Sequence, residues 1–167
     1  EKDLTPGENL KAEFLGFTGD GAAFHVMTNE RDEKFFDVYR YDATSYERTR
    51  VYGNKDGLEP SLVSLDGKWL ALGQYNTTND SDLHVVDLAT GKATKVSAHE
   101  GQAQFNAQDF SPDGQWLYYT ANDQGEFAQL RRVKLGSWEH EPVRSADWDI
   151  VAAYFSKGGK YLAVATN

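Results

Sequence analysis

Short apolar runs recur along the chain, and each follows a turn rich in Gly and polar residues. The turns read TGDG from Thr18, SLDG from Ser64, SPDG from Ser111 and SKGG from Ser156. They begin 46, 47 and 45 residues apart. A Ser or Thr hydroxyl at the first position and an Asp carboxylate at the third can accept backbone N–H groups, and the last Gly tolerates a positive φ. The pattern predicts one hairpin turn per repeat.

Each turn is followed by two runs of strand length. The first runs are AAFHVMTN, KWLALGQY, QWLYYTAN and KYLAVATN, which are rich in aromatic and branched residues. In the second runs, two sets of apolar residues align: Val38, Leu83 and Leu130, then Tyr41, Val86 and Val133. The more polar segments 46–52, 92–98 and 141–145 predict a last, solvent-facing strand. No stretch of a dozen residues keeps a helical period, which argues against helix pairs.

Four short antiparallel strands per repeat of this length are typical of a β-propeller blade. The sequence therefore predicts an all-β fold of about three and a half four-stranded antiparallel blades, truncated at both ends. Residues 1–10 are expected to end a preceding blade, because Leu4 lies 47 residues before Val51. Residues 11–54, 55–99 and 100–147 are expected to form blades, and 148–167 the first half of a further one. Open blade edges predict self-association of such a fragment.

Charge and composition exclude several classes of function. A net charge of -9 argues against a nucleic-acid surface, because phosphate contacts need clustered Lys and Arg. With no Cys, the chain has no disulfide, thiolate metal site or Cys nucleophile. It has no apolar run of membrane-spanning length, and its first ten residues lack the pattern of a signal peptide. Periplasmic, secreted and cytoplasmic locations all stay open.

Residues that could suggest a site have simpler structural interpretations. The four histidines are His25, His84, His99 and His140, and no pair has the close spacing of a metal site. The acidic stretches NDSD from Asn79 and ERDE from Glu30 lack the ligand spacing of a calcium loop, so we expect solvated hairpin tips. We expect Asp66 and Asp113 to fasten turns.

Two further sets of residues recur at equal register. Trp69, Trp116 and Tyr161 follow the turns and are expected to pack blade against blade, although such rings could also stack on a sugar. Asn29, Asn122 and Asn167 end the first runs and are interpreted as turn formers. The sequence thus predicts no catalytic, cofactor-binding or metal-binding residue.

Long segments of the chain resemble a known group of propellers. DFSPDGQWLYYTANDQGEFAQLRRVKL, and SLDGKWLALGQYN followed by SDLHVVDLATGKATKV, resemble the PD40-type repeats shared by TolB-like proteins and the prolyl oligopeptidase family. FLGFTGDGAAFHVMTNERDEKFFDVYRYD and SADWDIVAAYFSKGGKYLAVATN more narrowly resemble the N-terminal propeller of prolyl oligopeptidase-family serine peptidases. The likeness covers nearly the whole chain.

This resemblance implies a parent serine peptidase in which the propeller precedes an α/β-hydrolase domain with a Ser-Asp-His triad. The propeller would gate the active site and select peptide substrates. The nucleophile elbow Gly-x-Ser-x-Gly occurs nowhere in the 167 residues, so no catalytic residue is assigned and this chain by itself is expected to be inactive. Two alternatives stay open: a TolB-like periplasmic propeller that binds a protein partner, and, less favoured, a propeller that acts on carbohydrates.

Overall fold

A computed structural model describes residues 3–167, and that range contains fourteen β-strands and no helix. The first sheet consists of β1 (Ala12–Phe17), β2 (Ala23–Asp32), β3 (Phe35–Asp42) and β4 (Arg48–Tyr52). The second consists of β5 (Glu59–Val63), β6 (Trp69–Thr77), β7 (Asp80–Asp87) and β8 (Lys92–Lys95). The third consists of β9 (Phe105–Phe110), β10 (Trp116–Ala121), β11 (Gln129–Lys134) and β12 (His140–Arg144). The last sheet pairs β13 (Ile150–Phe155) with β14 (Leu162–Thr166).

Within every sheet the strands follow chain order and pair antiparallel. The first strands of successive sheets are also neighbours: β1 contacts β5, β5 contacts β9, and β9 contacts β13. This arrangement is that of consecutive propeller blades, which confirms the predicted fold class. The strands lie within the ranges 11–54, 55–99, 100–147 and 148–167. The assignment of these ranges, and of 1–10, to particular blades stays a prediction, and residues 1 and 2 lie outside the described residues.

The predicted hairpin turns form through short-range hydrogen bonds. In the second sheet the Ser64 hydroxyl donates to Asp66 Oδ1 at 2.6 Å and accepts the N–H of Trp69 at 2.9 Å. The N–H of Gly67 donates to the Ser64 carbonyl at 2.8 Å. In the third sheet, Asp113 accepts a hydrogen bond from the Ser111 hydroxyl in the same way. The expected role of Asp66 and Asp113 as turn fasteners is therefore confirmed.

Apolar clusters fill the three seams between adjacent sheets. The first seam contains Val38, Leu58, Leu70, Leu72 and Val86, and the third contains Tyr118, Leu130, Ile150 and Ala153. The second and largest contains Ala71, Leu83, Val85, Val96, Ala103, Phe105, Phe110, Leu117, Tyr119, Ala121 and Val133. The two sets of residues that align in the sequence are all buried, and Tyr41 among them packs in a separate cluster with Phe24 and Val26. The outermost strands are polar as predicted, and β12 is exposed along its whole length.

The aromatic residues after the turns cross these seams. The Trp69 ring meets the Trp138 ring of the third sheet edge to face, with centroids 5.8 Å apart. Trp116 packs in the third seam, against the last sheet. Packing between blades is therefore confirmed for both tryptophans. Tyr161 differs, because its side chain is 65% exposed and the described residues provide no following sheet to cover it.

Successive turns also touch each other. The N–H of Gly19 donates to the Leu65 carbonyl of the next turn at 2.8 Å. At Gly159, with φ of 69°, an added Cβ would lie 2.8 Å from Cγ of Pro112 in the preceding turn. Gly91, with φ of 72°, has open space around the same position. The two glycines share a backbone conformation and differ in the contact between turns.

We expect Gly91→Ala to destabilise the protein by about 1 kcal/mol, because a Cβ is disfavoured at positive φ. Gly159→Ala should cost roughly 1–2 kcal/mol more, because its methyl group would overlap the rigid proline ring. Urea unfolding followed by circular dichroism measures both values. Equal losses would show that the turns are not in tight contact.

Candidate functional site

The inner strands form the wall on which a ligand would meet the propeller, because the first strand of each blade surrounds the central channel. Each of these strands contains a β-bulge. The extra residues are Leu15, Ser61, Gln108 and Val151. A bulge re-aims the neighbouring side chains and interrupts the open strand edge. The bulge of β9 is the one that carries the longest polar side chain.

Gln108 and its neighbour Asp109 bind the last sheet through its backbone. Gln108 Oε1 accepts the N–H of Ala153 at 3.0 Å, and Asp109 Oδ2 accepts the N–H of Phe155 at 2.7 Å. The two side chains therefore satisfy donors that β13 turns toward β9. Sequence reasoning missed both residues, because the bonded residues are 45 and 46 positions apart.

A cleft of about 560 Å³ opens where the turns of all four sheets converge. Each of the four turns contributes a residue to its wall, and Asp109 also lines the cleft; the turn residues are Gly19, Leu65, Pro112 and Gly158. Burial raises the pKa of Asp109, although backbone N–H groups that donate to the carboxylate oppose the shift. The cleft is mainly apolar and offers two carboxyl groups as acceptors, those of Asp109 and Asp66.

A second cleft, of about 360 Å³, lies toward the opposite end of β9 and is polar. Its lining includes Gln104, Asn106, Asn122, Glu126 and Asp149. Asn122 Oδ1 already accepts the N–H of Gln104 at 2.7 Å, and Asp149 Oδ1 accepts the N–H of Ala128 at 2.7 Å. Carboxamides both donate and accept hydrogen bonds, so this lining matches the alternating polar groups of a peptide backbone.

Polar residues at the start of the third strands hold the chain where it crosses to the next sheet. Asp37, Asp82 and Gln129 each precede one of the aligned buried residues. Asp37 accepts the N–H of Asn54, Asp82 accepts the hydroxyl of Ser97, and Gln129 exchanges two hydrogen bonds with Ala146. We call these three the linker-binding residues. A polar residue recurring next to an aligned buried position was the sequence signal that could have revealed them.

Asp37 is the most buried of the linker-binding residues, with its side chain 0% exposed. Arg31 pairs with it at 2.6 Å, and Arg50 lies 3.4 Å away. Burial alone would raise the pKa of Asp37, but the hydrogen bonds from Arg31 and from the N–H of Asn54 outweigh it and lower the pKa. The negative charge of the buried Asp37 is thus compensated by the two arginines.

The acidic stretch that begins at Asn79 is not a fully solvated hairpin tip, as the sequence had led us to expect. Its last residue, Asp82, is only 5% exposed. Burial alone would raise its pKa, but Lys95 at 2.8 Å, Ser97 and Asn76 outweigh burial and lower the pKa to about 2. In the acidic stretch that begins at Glu30, Arg31 forms an ion pair with the buried Asp37. Neither acidic stretch is therefore only a solvated hairpin tip.

The four histidines lie apart in the fold. His84 Nε2 is 3.2 Å from Gln74 Oε1, and His140 Nδ1 is 2.8 Å from the Tyr119 hydroxyl. His99 stacks on Phe105 and lies 3.4 Å from Asp82. Residues 3–167 contain no group of three or more His, Asp or Glu side chains placed to hold a metal ion. In the same range no helix is long and apolar enough to cross a membrane.

Asn29 and Asn122 bind the inner strands, and Asn29 also bridges the turn between β2 and β3, where its Nδ2 donates to the Glu33 carbonyl at 3.3 Å. Asn29 Oδ1 accepts the N–H of Lys11 at 2.8 Å, just before β1, as Asn122 does for Gln104 before β9. Asn167 makes a backbone contact, donating its N–H to the Asp149 carbonyl at 3.0 Å. The equal register therefore reflects bonds across the sheet, and the turn interpretation holds only for the contact of Asn29 with Glu33.

His25 predicts a pH dependence of stability. It is 2% exposed beside the turn of the second sheet, and burial, helped by the nearby Arg40 charge, lowers its pKa to about 4. Unfolding restores a pKa near 6.5, so the unfolded chain binds a proton first as the pH falls. Stability should be full above about pH 6.5 and fall by about 3 kcal/mol as the pH approaches 4.

Urea unfolding between pH 7.5 and 4.5 measures this slope. His25→Leu should remove most of it, while His84 and His140, whose pKa values burial also lowers, supply the remainder. An unchanged slope in His25→Leu would contradict the assignment.

Removal of a linker-binding carboxylate should be far more costly than removal of an exposed one. We expect Asp37→Ala to destabilise the protein by about 3 kcal/mol, because Arg31 and the N–H of Asn54 lose their buried partner. The matched control is Glu141→Ala, since Glu141 pairs with Arg132 at 2.6 Å but is 47% exposed; it should cost less than about 1 kcal/mol. Similar unfolding midpoints for the two variants would contradict the role of Asp37.

Comparison with solved structures identifies proteins that share this fold. No protein-family model matches the sequence, and no curated protein matches it significantly. Among solved structures, TolB from Acinetobacter baumannii superposes with a TM-score of 0.68 at 19% identity over 94% of this chain. A structure from a study of two prolyl endopeptidases gives 0.66 at 22% identity over 93% of the chain. Prolyl oligopeptidase B from Galerina marginata gives 0.57 at 17% identity over 86%.

The chain spans only part of each of these proteins: 38% of TolB, 26% of the prolyl endopeptidase and 22% of prolyl oligopeptidase B. At such identities the likeness concerns the fold. The chain therefore has the β-propeller architecture that TolB and the prolyl oligopeptidases share.

Proposed function

We propose that this chain is the non-catalytic propeller of a prolyl oligopeptidase-type serine peptidase, in which it selects peptides for an α/β-hydrolase domain of the same protein. The observation that carries the proposal is the carboxamide-lined cleft on the inner wall, beside β9. Its polar side chains suit an extended peptide, whose N–H and C=O groups are free to bond. A folded protein has already used most of those groups internally.

The chain's own residues support binding and not bond cleavage. It has no nucleophile elbow, and the linker-binding residues and their partners are occupied in holding the sheets together. The resemblance of the repeats to prolyl oligopeptidase propellers, and the matching fold of two such enzymes, support a hydrolase domain as the catalytic partner.

A TolB-like role is the second candidate, supported by the superposition on TolB. In that role the same inner wall would bind a segment of a protein partner, and no peptidase would be present. No observation favours the carbohydrate alternative, since the described residues show no group of acidic side chains suited to a metal.

The test uses the full-length gene product that contains this chain. We expect it to cleave proline-containing peptides of about ten residues and to leave folded proteins intact. Asn106→Leu, which removes a carboxamide from the cleft, should raise KM for the decapeptide about tenfold and barely change hydrolysis of a short chromogenic substrate. The matched control is Gln115→Leu, at an exposed turn before β10 that does not line the cleft; it should leave both substrates unaffected.

Two results would overturn the proposal. A gene product without peptidase activity that instead captures a stable protein partner would establish the TolB-like role. An active enzyme in which Asn106→Leu affects both substrates equally, or neither, would show that the cleft does not select peptides.

A further inference from the structure

The polar cleft beside β9 carries charge of one sign only. Two carboxylates line it, those of Glu126 and Asp149, and no Lys or Arg of residues 3–167 does so. The other polar side chains of the lining are neutral carboxamides and the Thr120 hydroxyl. Such a cleft attracts a positively charged group, because its low-dielectric walls focus the field of the carboxylates.

The three loops that border this cleft have the same charge. Together they contain five Asp and Glu residues and no Lys or Arg, over the ranges 96–104, 122–128 and 145–149. One of the five, Asp123, is compensated by Arg131 at 2.8 Å. Within residues 3–167 the remaining four form no ion pair; they are Glu100, Glu126, Asp147 and Asp149.

The apolar cleft at the opposite end of β9 is balanced in charge. The four turns that border it contain three Asp and three Lys residues, over the ranges 18–22, 64–68, 111–115 and 156–161. Lys68 pairs with Asp66 at 3.3 Å, and Lys157 lines the cleft itself. The excess of carboxylates is therefore a property of the polar cleft and its loops, and the turn end does not share it.

Glu126 is the cleft carboxylate that is free to bind a ligand. It is exposed in the loop between β10 and β11, and no side chain or backbone group of residues 3–167 pairs with it. Asp149 differs, because its Oδ1 already accepts the N–H of Ala128 at 2.7 Å. Glu126 can therefore make a direct ion pair, to which Asp149 adds its field.

We propose that the polar cleft selects peptides that contain a Lys or Arg side chain, and that Glu126 is the residue that binds this positive charge. The inference rests on the proposed function and deepens it. The carboxamides would hold the peptide backbone, which every sequence shares, whereas the carboxylates distinguish one sequence from another. They repel acidic peptides by the same interaction.

The test uses the full-length gene product and decapeptides with blocked ends, so that only side chains carry charge. Each peptide contains one proline, and a single Gln is moved along it and replaced in turn by Lys or Glu. At the position that meets Glu126, we expect kcat/KM for the Lys peptide to exceed that of the Gln peptide about threefold to fivefold, with the Glu peptide lowest. Added salt should reduce the difference, because it screens a partly exposed ion pair.

Glu126→Gln tests the assigned residue. It should bring the Lys peptide to nearly the same kcat/KM as the Gln peptide, and it should leave hydrolysis of a neutral, short chromogenic substrate unchanged. The matched control is Glu139→Gln, which removes the same charge from an exposed turn at the other end of the same sheet. It should keep the preference for Lys. Circular dichroism matching the wild type establishes that both variants are folded.

The outcomes separate this inference from the proposed function. Equal cleavage of the Lys, Gln and Glu peptides, or a preference for Lys that persists in Glu126→Gln, would overturn the inference and leave the proposed function standing. Loss of the preference in Glu139→Gln as well would overturn it too, because the net charge of the protein would then be responsible. A gene product that cleaves none of the decapeptides would overturn the proposed function, and this inference with it.

Discussion

The structure depends on the burial of each sheet against its neighbours, which for the middle sheets covers both faces. Strand β6 shows the constraint most directly, because Leu70 and Leu72 lie in the first seam while Ala71, between them, lies in the second. All three are fully buried. A sheet whose strands are apolar on both sides cannot be covered by one neighbour, so it must stand between two. Sheets of this kind stack one after another. The same apolar positions recur in the sequence of each repeat because each sheet packs against its neighbours in the same way.

Dry seams in turn require that polar groups at their edges be paired. The chain returns from the outer strand of each sheet to the inner strand of the next, and the linker-binding residues hold it at this crossing. At Asp37 an Arg31 ion pair and a backbone N–H satisfy the carboxylate, whereas at Gln129 a neutral carboxamide exchanges two hydrogen bonds with Ala146. Different chemistry thus performs the same task at equivalent positions, because what matters is that buried donors and acceptors are matched.

The binding surfaces arise from the stacking and not from any one sheet. The apolar cleft takes Gly19, Leu65, Pro112 and Gly158 from four different turns, and the polar cleft joins the third sheet to the last. Under the proposed function, this wall recognises an extended peptide and another domain of the same protein supplies the catalytic centre.

The sequence by itself determined the turns, because these depend on hydrogen bonds between residues two to five positions apart, and the strands, because each is a short run of aromatic and branched residues. Ser64, Asp66 and Trp69 could be assigned for that reason. The apolar residues that align between repeats, such as Val38, Leu83 and Leu130, are likewise buried. Only the tertiary structure decided that Asp82 is buried, that Asn29 binds the start of β1 and that Tyr161 is exposed where Trp69 is covered. Those outcomes depend on partners in other strands or sheets, and local pattern does not specify which neighbour a side chain will meet.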